Sequence, residues 1–567
     1  MTKSNINFYL KIIGPFKITV LTILVIITTF FDLLSIGLIL PALNFFIEPG
    51  QENILLKIIS ENKILNSVNH ANIIIIILLF SFIIKIFLGI VSSYYLTVIG
   101  KKIKVSVSRK IFLKFLSFEY KNIIKNKIPN IIRILTYDVE NFVHSINNYI
   151  VLLVEIFLLL SIIILLLSIN FFSTIIIFFI FIFVLSFFYI FTLDIRKKNA
   201  IIKQLFTSKL IKNFNEGFGA IKEIIILQKQ NFFYELFFKN LSKRENAFQK
   251  IAFITILPRF IIEMTAILMV CFFLFFISQN DKDFVSYISI IGVYLVAMLR
   301  MIPSINKLVY ALQTVQLTKP SVDSIKKEWK KNDKKEKFNE NTKNLSFKRK
   351  IEFKNIFFKY NKSEKIFNNF NFTINKGDKI LISGKSGSGK STFLDLFSGL
   401  QKPNRGKILV DGVNINEKSN LSKWLKTISY VPQNTFIFDE NLLLNLIMDY
   451  ENDFNFDQIR KVIHDVNLKE LFIKNKKILF RNLGERGSNL SGGQRQRVGL
   501  SRHLLRNKEV LILDESLNSL DKNNQKIILK KLITNKFLTL ILVSHDTEMK
   551  KLFKKRFILK TGNIKLN

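Results

Sequence analysis

Ile380-Leu381-Ile382-Ser383-Gly384-Lys385-Ser386-Gly387-Ser388-Gly389-Lys390-Ser391-Thr392 is the stretch on which the reading of this 567-residue chain turns. It begins as an apolar strand, Asp378–Ser383, and runs directly into the pattern G-x-x-x-x-G-K-[ST] and a helix expected over Thr392–Leu400. In a loop of this kind successive backbone N–H groups and the helix N-terminus point at one anion. Lys390 then reaches the β- and γ-phosphates of a nucleotide, and the Ser391 hydroxyl ligates Mg²⁺. Gly384, Lys385, Ser386, Gly387, Ser388, Gly389, Lys390, Ser391 and Thr392 are therefore the first candidate nucleotide-binding residues.

Downstream, Val510-Leu511-Ile512-Leu513-Asp514-Glu515 is an apolar run ending in two acids. A strand buried on both faces reads as a continuous apolar run, and ligands of such sheets bind beyond the strands' C-terminal ends. Asp514 there is placed to hold Mg²⁺, and Glu515 to orient and deprotonate an attacking water. A third motif, Leu490-Ser491-Gly492-Gly493-Gln494-Arg495-Gln496, stands about 20 residues before Asp514. A Ser-Gly-Gly turn entering a helix makes a second anion site, which a generic phosphate-loop enzyme does not need.

Upstream the chain changes character. Hydrophobic residues make up 49% of the whole and Phe alone counts 57, and before residue 320 they gather in long runs. A bilayer-spanning helix needs about 20 apolar residues. Six runs qualify, at about 17–47, 72–99, 147–169, 171–194, 252–278 and 285–316. Their placement excludes a large soluble enzyme. The net charge of +41 raises the possibility of a nucleic-acid partner, but its distribution does not favour one. Ten Lys/Arg lie in 101–145 and twelve in 195–250, against Lys57 and Lys63 in 48–71 and Lys282 in 279–284. Positive loops stay on the cytoplasmic side, which puts both termini and the C-terminal domain in the cytoplasm and leaves no role for nucleic acid. The single cysteine, Cys271, excludes an internal disulfide framework.

The basic loops carry apolar residues at helical spacing: Ile103, Val107, Ile111 and Phe115, then Ile131, Ile132 and Leu135 beyond Pro129. Two spans are expected to continue as helices into the cytoplasm, joined by a short helix near 118–128. Segment 195–250 repeats the plan, with a turn near 215–220. The stretch 52–65 is amphipathic and suits either a membrane surface or an ordinary loop helix. Ionisable residues inside spans mark candidate substrate positions. These are Asp32, Lys85, Arg259, Glu263 and Arg300, of which Arg259 and Glu263 are spaced to pair with each other while Arg300 has no neighbour at i±4. The expected organisation is a permease over 1–318, a charged linker over 319–349 and a nucleotide-binding domain over 350–567.

Taken together, the chain resembles ABC transporters of the exporter type: an all-α membrane permease of six helices with long cytoplasmic extensions, followed by an α/β P-loop ABC ATPase domain. The resemblance implies ATP and Mg²⁺ as cofactors and assigns further residues. Tyr360 matches the aromatic that stacks on adenine, and Gln433 the glutamine that senses Mg²⁺ and the permease. Ser491, Gly492, Gly493 and Gln494 match the signature that closes on the γ-phosphate of a partner's nucleotide. Asp521 matches the loop crossing the dimer interface, and His545 the histidine at the γ-phosphate. The segment Ser516–Asp521 departs from the commoner Ala-Thr-Ser-Ala-Leu-Asp but keeps the Asp. One ATPase domain per chain implies a homodimer, in a bacterial inner membrane. Asp32 with Ser35–Pro41, Pro258-Arg259 with Glu263, and Leu299–Ser304 look like the flippase of lipid-linked oligosaccharides, which makes Arg259, Glu263 and Arg300 candidate contacts for an amphipathic lipid-linked substrate. A generic exporter of lipids, peptides or hydrophobic drugs remains the alternative. A non-transporting channel or regulator is expected to lack Glu515 or His545, and an importer to carry its ATPase on a separate chain.

Overall fold

The computed structural model describes residues 3–37, 70–116, 128–169, 171–278, 284–330, 344–360, 365–449, 455–468, 479–546, 548–560 and 563–566. These fall into two compact units, 3–330 and 344–566.

The first unit is helical: α1 (Lys3–Ile13), α2 (Pro15–Gly37), α3 (His70–Leu116), α4 (Ile128–Arg133), α5 (Val139–Ile169), α6 (Phe171–Gly219), α7 (Ile221–Ile226), α8 (Gln230–Ser278), α9 (Phe284–Leu317) and α10 (Lys319–Lys330). Five of the apolar runs each lie within one helix, and the first lies in α2 as far as Gly37. Residues 38–47, the amphipathic stretch 52–65 and most of the joining segment 118–128 lie outside the described residues. Among the described residues four stretches are long and apolar enough to cross a membrane: Pro15–Leu34, Ile75–Leu116, Ile128–Ser168 and Phe178–Gly219. Helix α3 has 47 residues, which at 1.5 Å each is about 70 Å, more than twice the roughly 30 Å hydrocarbon core. One helix can thus cross a bilayer and still project far beyond it.

Packing follows the periodicity. Ile99, Ile103, Val107, Ile111 and Phe115 form a buried stripe on α3, four residues apart, against Val139, Phe142, Val143, Ile146 and Ile150 of α5. The opposite outcome holds nearer the start of α3, where Ile76, Phe80, Ile83, Phe87 and Ile90 are exposed. An apolar helix surface left bare in this way suits lipid rather than water.

Residues 319–330 correct the expectation of a solvated linker over 319–349. They form α10, which buries Val322 and Ile325 in the same core as the α3 stripe. The Trp329 ring takes the Lys110 ammonium at 3.6 Å from its centroid and meets Phe8 of α1 edge-on. A buried carboxylate completes the attachment. Asp138 ends a π-helical turn (Ile134–Asp138) that leads into α5. It accepts hydrogen bonds from Ser321 Oγ (2.8 Å), Gln204 Nε2 (3.0 Å) and Arg133 Nη1 (2.6 Å). The lysine-rich composition hides the two apolar residues that decide where the segment packs. At the other end of the expected linker, Leu345 and Phe347 are buried in the core of the second unit.

The second unit holds two sheets. An antiparallel sheet has the order β2 (Lys365–Asn375), β1 (Lys350–Lys359), β4 (Arg405–Val410), β5 (Val413–Asn414). A six-stranded sheet has the order β10 (Asn563–Leu566), β9 (Lys555–Lys560), β3 (Lys379–Ser383), β8 (Thr539–Val543), β7 (Val510–Asp514), β6 (Ile428–Val431). All pairings from β9 to β6 are parallel. The apolar runs sit at its centre: every residue of Leu540–Val543 and Val510–Leu513 is buried. Helices α11 (Lys390–Ser398), α12 (Lys418–Thr427), α13 (Leu442–Ile447), α14 (Phe456–Asp465), α15 (Gly492–Leu504) and α16 (Lys522–Thr534) accompany these strands.

Replacing Ile325 by Ala tests the docking of α10. It is expected to destabilise that helix by about 2–4 kcal/mol and to make the bond after Lys326 a ready trypsin site in the folded protein. Equal resistance of wild type and variant in limited proteolysis would refute the docking.

Candidate nucleotide site and intramembrane charges

Four parallel strands end on one edge of the six-stranded sheet, and each delivers part of the site. Strand β3 leads to the loop Gly384–Gly389, β7 ends at Asp514 and Glu515, β8 leads to Ser544-His545, and β6 leads to Pro432-Gln433. Glycine is required at two loop positions. A Cβ on Gly384 would lie 2.5 Å from the Leu559 carbonyl oxygen, and Gly389 has a φ of +99° at the N-cap of α11. Lys390 folds back and donates to the carbonyls of Gly384 (2.9 Å) and Lys385 (3.1 Å). The Ser388 hydroxyl is buried in the loop with no hydrogen-bond partner among the described residues. A buried orphan hydroxyl beside a folded-back lysine fits a phosphate group, which supplies the missing acceptor. Tyr360 is partly exposed, its hydroxyl 3.4 Å from Thr392 Oγ1 and its ring edge-on to Phe358. That leaves a ring beside the helix that carries Lys390, Ser391 and Thr392.

Three of the sequence candidates meet at one carboxylate. Glu515 Oε2 accepts from Gln433 Nε2 (3.0 Å), and Glu515 Oε1 lies 3.1 Å from His545 Nε2. A third donor, Asn518 Nδ2, reaches Oε2 at 3.4 Å. Glu515 holds a φ of +49°, uncommon for a residue with a side chain. Its N–H is anchored to the Val543 carbonyl of the neighbouring strand (3.0 Å). Asp514, next to it, accepts from the Tyr430 hydroxyl at 2.8 Å. Burial pushes the Asp514 carboxyl up, Tyr430 pulls it down, the Glu515 charge raises it, and Lys390 lowers it. On α11, Asp395 is pushed up to about 6 by burial and by the charge of Asp514.

The signature residues form a separate cluster. Ser491 caps α15 in a reciprocal box: the Gln494 N–H donates to Ser491 Oγ, and the Ser491 N–H to Gln494 Oε1. A Cβ on Gly493 would stand 3.1 Å from the Ser519 carbonyl oxygen, so the segment after Glu515 packs directly on this turn. Gln496 Oε1 accepts from the Ser519 N–H (3.0 Å), and Asp521 caps α16 by accepting from the Asn524 N–H (3.1 Å). Among the described residues no hydrogen bond joins Ser491, Gly492, Gly493 or Gln494 to the loop 384–392.

In the helical unit, Arg259 Nε donates to Glu263 Oε1 at 2.8 Å, and the pair is exposed rather than turned into the bundle. Arg300 finds a partner far away in sequence. Its Nη2 lies 2.8 Å from Asp32 Oδ2, and Lys85 Nζ lies 2.8 Å from Asp32 Oδ1. Sequence reasoning also passed over a further pair, Lys307 with Glu155 (3.5 Å), because Glu155 sits alone in an apolar run.

Residues 18–302 match the family model of the ABC transporter transmembrane region, and residues 367–518 match the family model described as ABC transporter. The chain belongs to the ABC transporter family. It is 36% identical over 199 residues to an ATP-dependent lipid A-core flippase of Pasteurella multocida, covering 34% of each chain. It is 37% identical over 180 residues to the mitochondrial iron-sulfur clusters transporter ATM1 of Candida albicans, covering 32% of this chain and 24% of that one. The match thus spans about a third or less of the length of these relatives. A bacterial Atm1-family ABC exporter with ATP bound has the same fold, with a TM-score of 0.78 over 97% of this chain and 94% of that one, at 14% identity.

As an ABC protein, the chain is a multi-pass membrane protein with a nucleotide-binding domain. Its sheet edge presents a phosphate loop, two carboxylates and two polar hydrogen-bonding side chains at one place. The pattern of motifs did not disclose Tyr430, Asn518 or Asp395. The signal for Tyr430 was its place in β6 three residues before Gln433, visible only once β6 is set beside β7.

Two outcomes follow for this site. Ser491→Ala removes a cap and is expected to cost about 1 kcal/mol of helix stability, while ATP turnover falls at least about 10-fold. A turnover loss no larger than the loss of folded protein would show that Ser491 serves only the helix. For Asp395, the folded-state pKa of about 6 lies above the ordinary 3.8. Its stability contribution is therefore complete below 3.8 and lost as pH rises through about 6. In nucleotide-free protein without magnesium, Asp395→Asn is expected to melt later than wild type above pH 6, the difference closing toward pH 4. Calorimetry across that range checks the sign.

Proposed function

We propose that this chain is one half of a homodimeric exporter that hydrolyses ATP, with Glu515 as the general base, to move an anionic, amphipathic glycolipid such as a lipid-linked oligosaccharide across a bacterial inner membrane. The observation that carries the reading is the meeting of Gln433, His545 and Glu515 beside a complete phosphate loop.

The chemistry follows from what these side chains do. Lys390 and the loop N–H groups bind the phosphates of ATP, and Tyr360 offers a ring to the base. Ser391, Gln433 and Asp514 would hold Mg²⁺, which would supply charge neutralisation on the phosphoryl group. These are hard oxygen donors, which suit that ion. His545 and Gln433 are both engaged with Glu515 in this structure. A γ-phosphate competes for His545, so substrate arrival is an exchange of partners that leaves lone pairs of Glu515 free to accept a proton from water.

Ser491, Gly492, Gly493 and Gln494 stand apart from their own phosphate loop, which supports a second copy that brings its signature and Asp521 to this nucleotide, the default being a two-fold pair. Coupling to the membrane is assigned to the long helices. Both termini and that domain are assigned to the cytoplasm on the charge of the loops.

The substrate reading rests on two supports. Relatives include proteins named lipid A-core flippases. The cluster of Lys85 and Arg300 on one Asp32 also keeps a net positive charge inside the membrane half, and guanidinium suits phosphate geometry. Arg259, paired with Glu263, offers a second guanidinium.

ATPase activity in liposomes, with and without a polyprenyl-pyrophosphate oligosaccharide, tests the reading. Wild type is expected to be stimulated by the lipid, and Glu515→Gln to lose at least about 100-fold of turnover. Activity indifferent to the lipid would retain hydrolysis and move the cargo to another lipid, a peptide or a hydrophobic drug. Folded wild type that binds ATP but never hydrolyses it would overturn the enzyme.

A further inference from the structure

Strand β6 lies beside β7 in parallel register, with Tyr430 opposite Ile512 and Val431 opposite Leu513. Side chains two residues apart on a strand share a face. Asp514 therefore follows Ile512 on the face that Tyr430 shares, one strand over and one step further toward the nucleotide. The tyrosine is long enough to cover that step, and its hydroxyl donates to Asp514 Oδ2 at 2.8 Å. A phenol carries one O–H to donate, and an ionised carboxylate can only accept.

The tyrosine is itself held. Its ring packs against the buried core that contains Ile512, Ile541 and Phe393. Neighbouring Ser429 donates through Oγ to the His503 carbonyl (3.2 Å), and Val431 is buried. The hydroxyl is thus delivered by a side chain with little freedom. One oxygen of Asp514 is engaged, and among the described residues no hydrogen bond reaches the other, Oδ1. A carboxylate free to rotate would share its two oxygens between orientations, whereas one pinned through Oδ2 presents Oδ1 in a single direction. Hydrogen bonds of this kind to a metal-ligating carboxylate orient it and typically change metal affinity 10- to 100-fold.

We propose that Tyr430 is a positioning residue for the metal-bound nucleotide, holding Asp514 by Oδ2 and leaving Oδ1 as the oxygen available to a metal ion. This rests on the reading of Asp514 as a magnesium-holding residue. It predicts a selective defect: the hydroxyl matters when the metal is present and is irrelevant to the nucleotide alone.

The test uses the full-length protein in nanodiscs and the non-hydrolysable nucleotide AMP-PNP, titrated calorimetrically in excess MgCl₂ and again in EDTA. Tyr430→Phe keeps the ring and its packing and removes only the donor. The variant is expected to bind AMP-PNP about 10-fold more weakly in MgCl₂, to match wild type in EDTA, and to melt where wild type melts. MnCl₂ titrated by electron paramagnetic resonance onto the AMP-PNP complex is expected to show the same weakening directly as free Mn²⁺. An equal loss with and without metal would overturn the proposal and make Tyr430 a packing residue. Unchanged affinity in both titrations, or unchanged Mn²⁺ retention, would overturn it as well. Wild type that binds AMP-PNP no better with MgCl₂ than in EDTA would overturn the reading of Asp514 and the inference with it.

Discussion

The constraint that organises the ATPase unit is the parallel alignment of β9, β3, β8, β7 and β6. Parallel strands must all end on the same edge, so whatever follows each strand is brought to one place. Here those followers are a glycine-rich loop, two acids, a histidine and a glutamine, which lie up to 161 residues apart in sequence, counted from Gly384 to His545. Burial of the strands on both faces supplies the energy. Each fully buried Val, Leu or Ile contributes about 1.5–3 kcal/mol, and β3, β7 and β8 carry three, four and four such residues. The polar groups at the edge are held in register by a core that takes no part in the chemistry.

That register explains why the two acids of β7 take different surroundings although they are adjacent. Asp514 ends the strand, shares the face of Tyr430 and is half-buried. Glu515 leaves the strand through a positive φ and turns its carboxylate toward Gln433, His545 and Asn518. The first carboxylate is pinned by a single donor through one oxygen, and the second is shared among three. The roles proposed above suit these surroundings: a metal ligand benefits from a fixed direction, whereas a general base must be able to give up its partners.

Legibility in the sequence followed the range of the interactions. The strand–loop–helix order around Gly384–Thr392 was plain, because glycine and lysine spacing is a local requirement of phosphate binding. The stripe Ile103, Val107, Ile111, Phe115 was plain for the same reason, since period alone reveals a buried helix face. The antiparallel sheet of β1, β2, β4 and β5 is not legible locally: its pairing depends on contacts between distant segments, and β1 changes register against both neighbours. The helix α10 was misread as solvent-exposed linker. Composition reported its lysines, while its position is decided by Val322, Ile325 and the hydrogen bond from Ser321 to a carboxylate more than 180 residues away.

The intramembrane charges show the same limit most sharply. An i,i+4 rule finds Arg259 with Glu263, one turn apart on the same helix. It cannot find Arg300 with Asp32, which lies on a different helix 268 residues earlier. Yet physics favours the second pairing. A guanidinium in a low-dielectric bundle needs a counter-charge, and breaking a buried ion pair typically costs 3–5 kcal/mol because the remaining charge stays uncompensated. Asp32 answers both Arg300 and Lys85, so one carboxylate joins α2, α3 and α9. The contact that spacing along one helix cannot reveal is thus the one that ties three helices together through a single carboxylate.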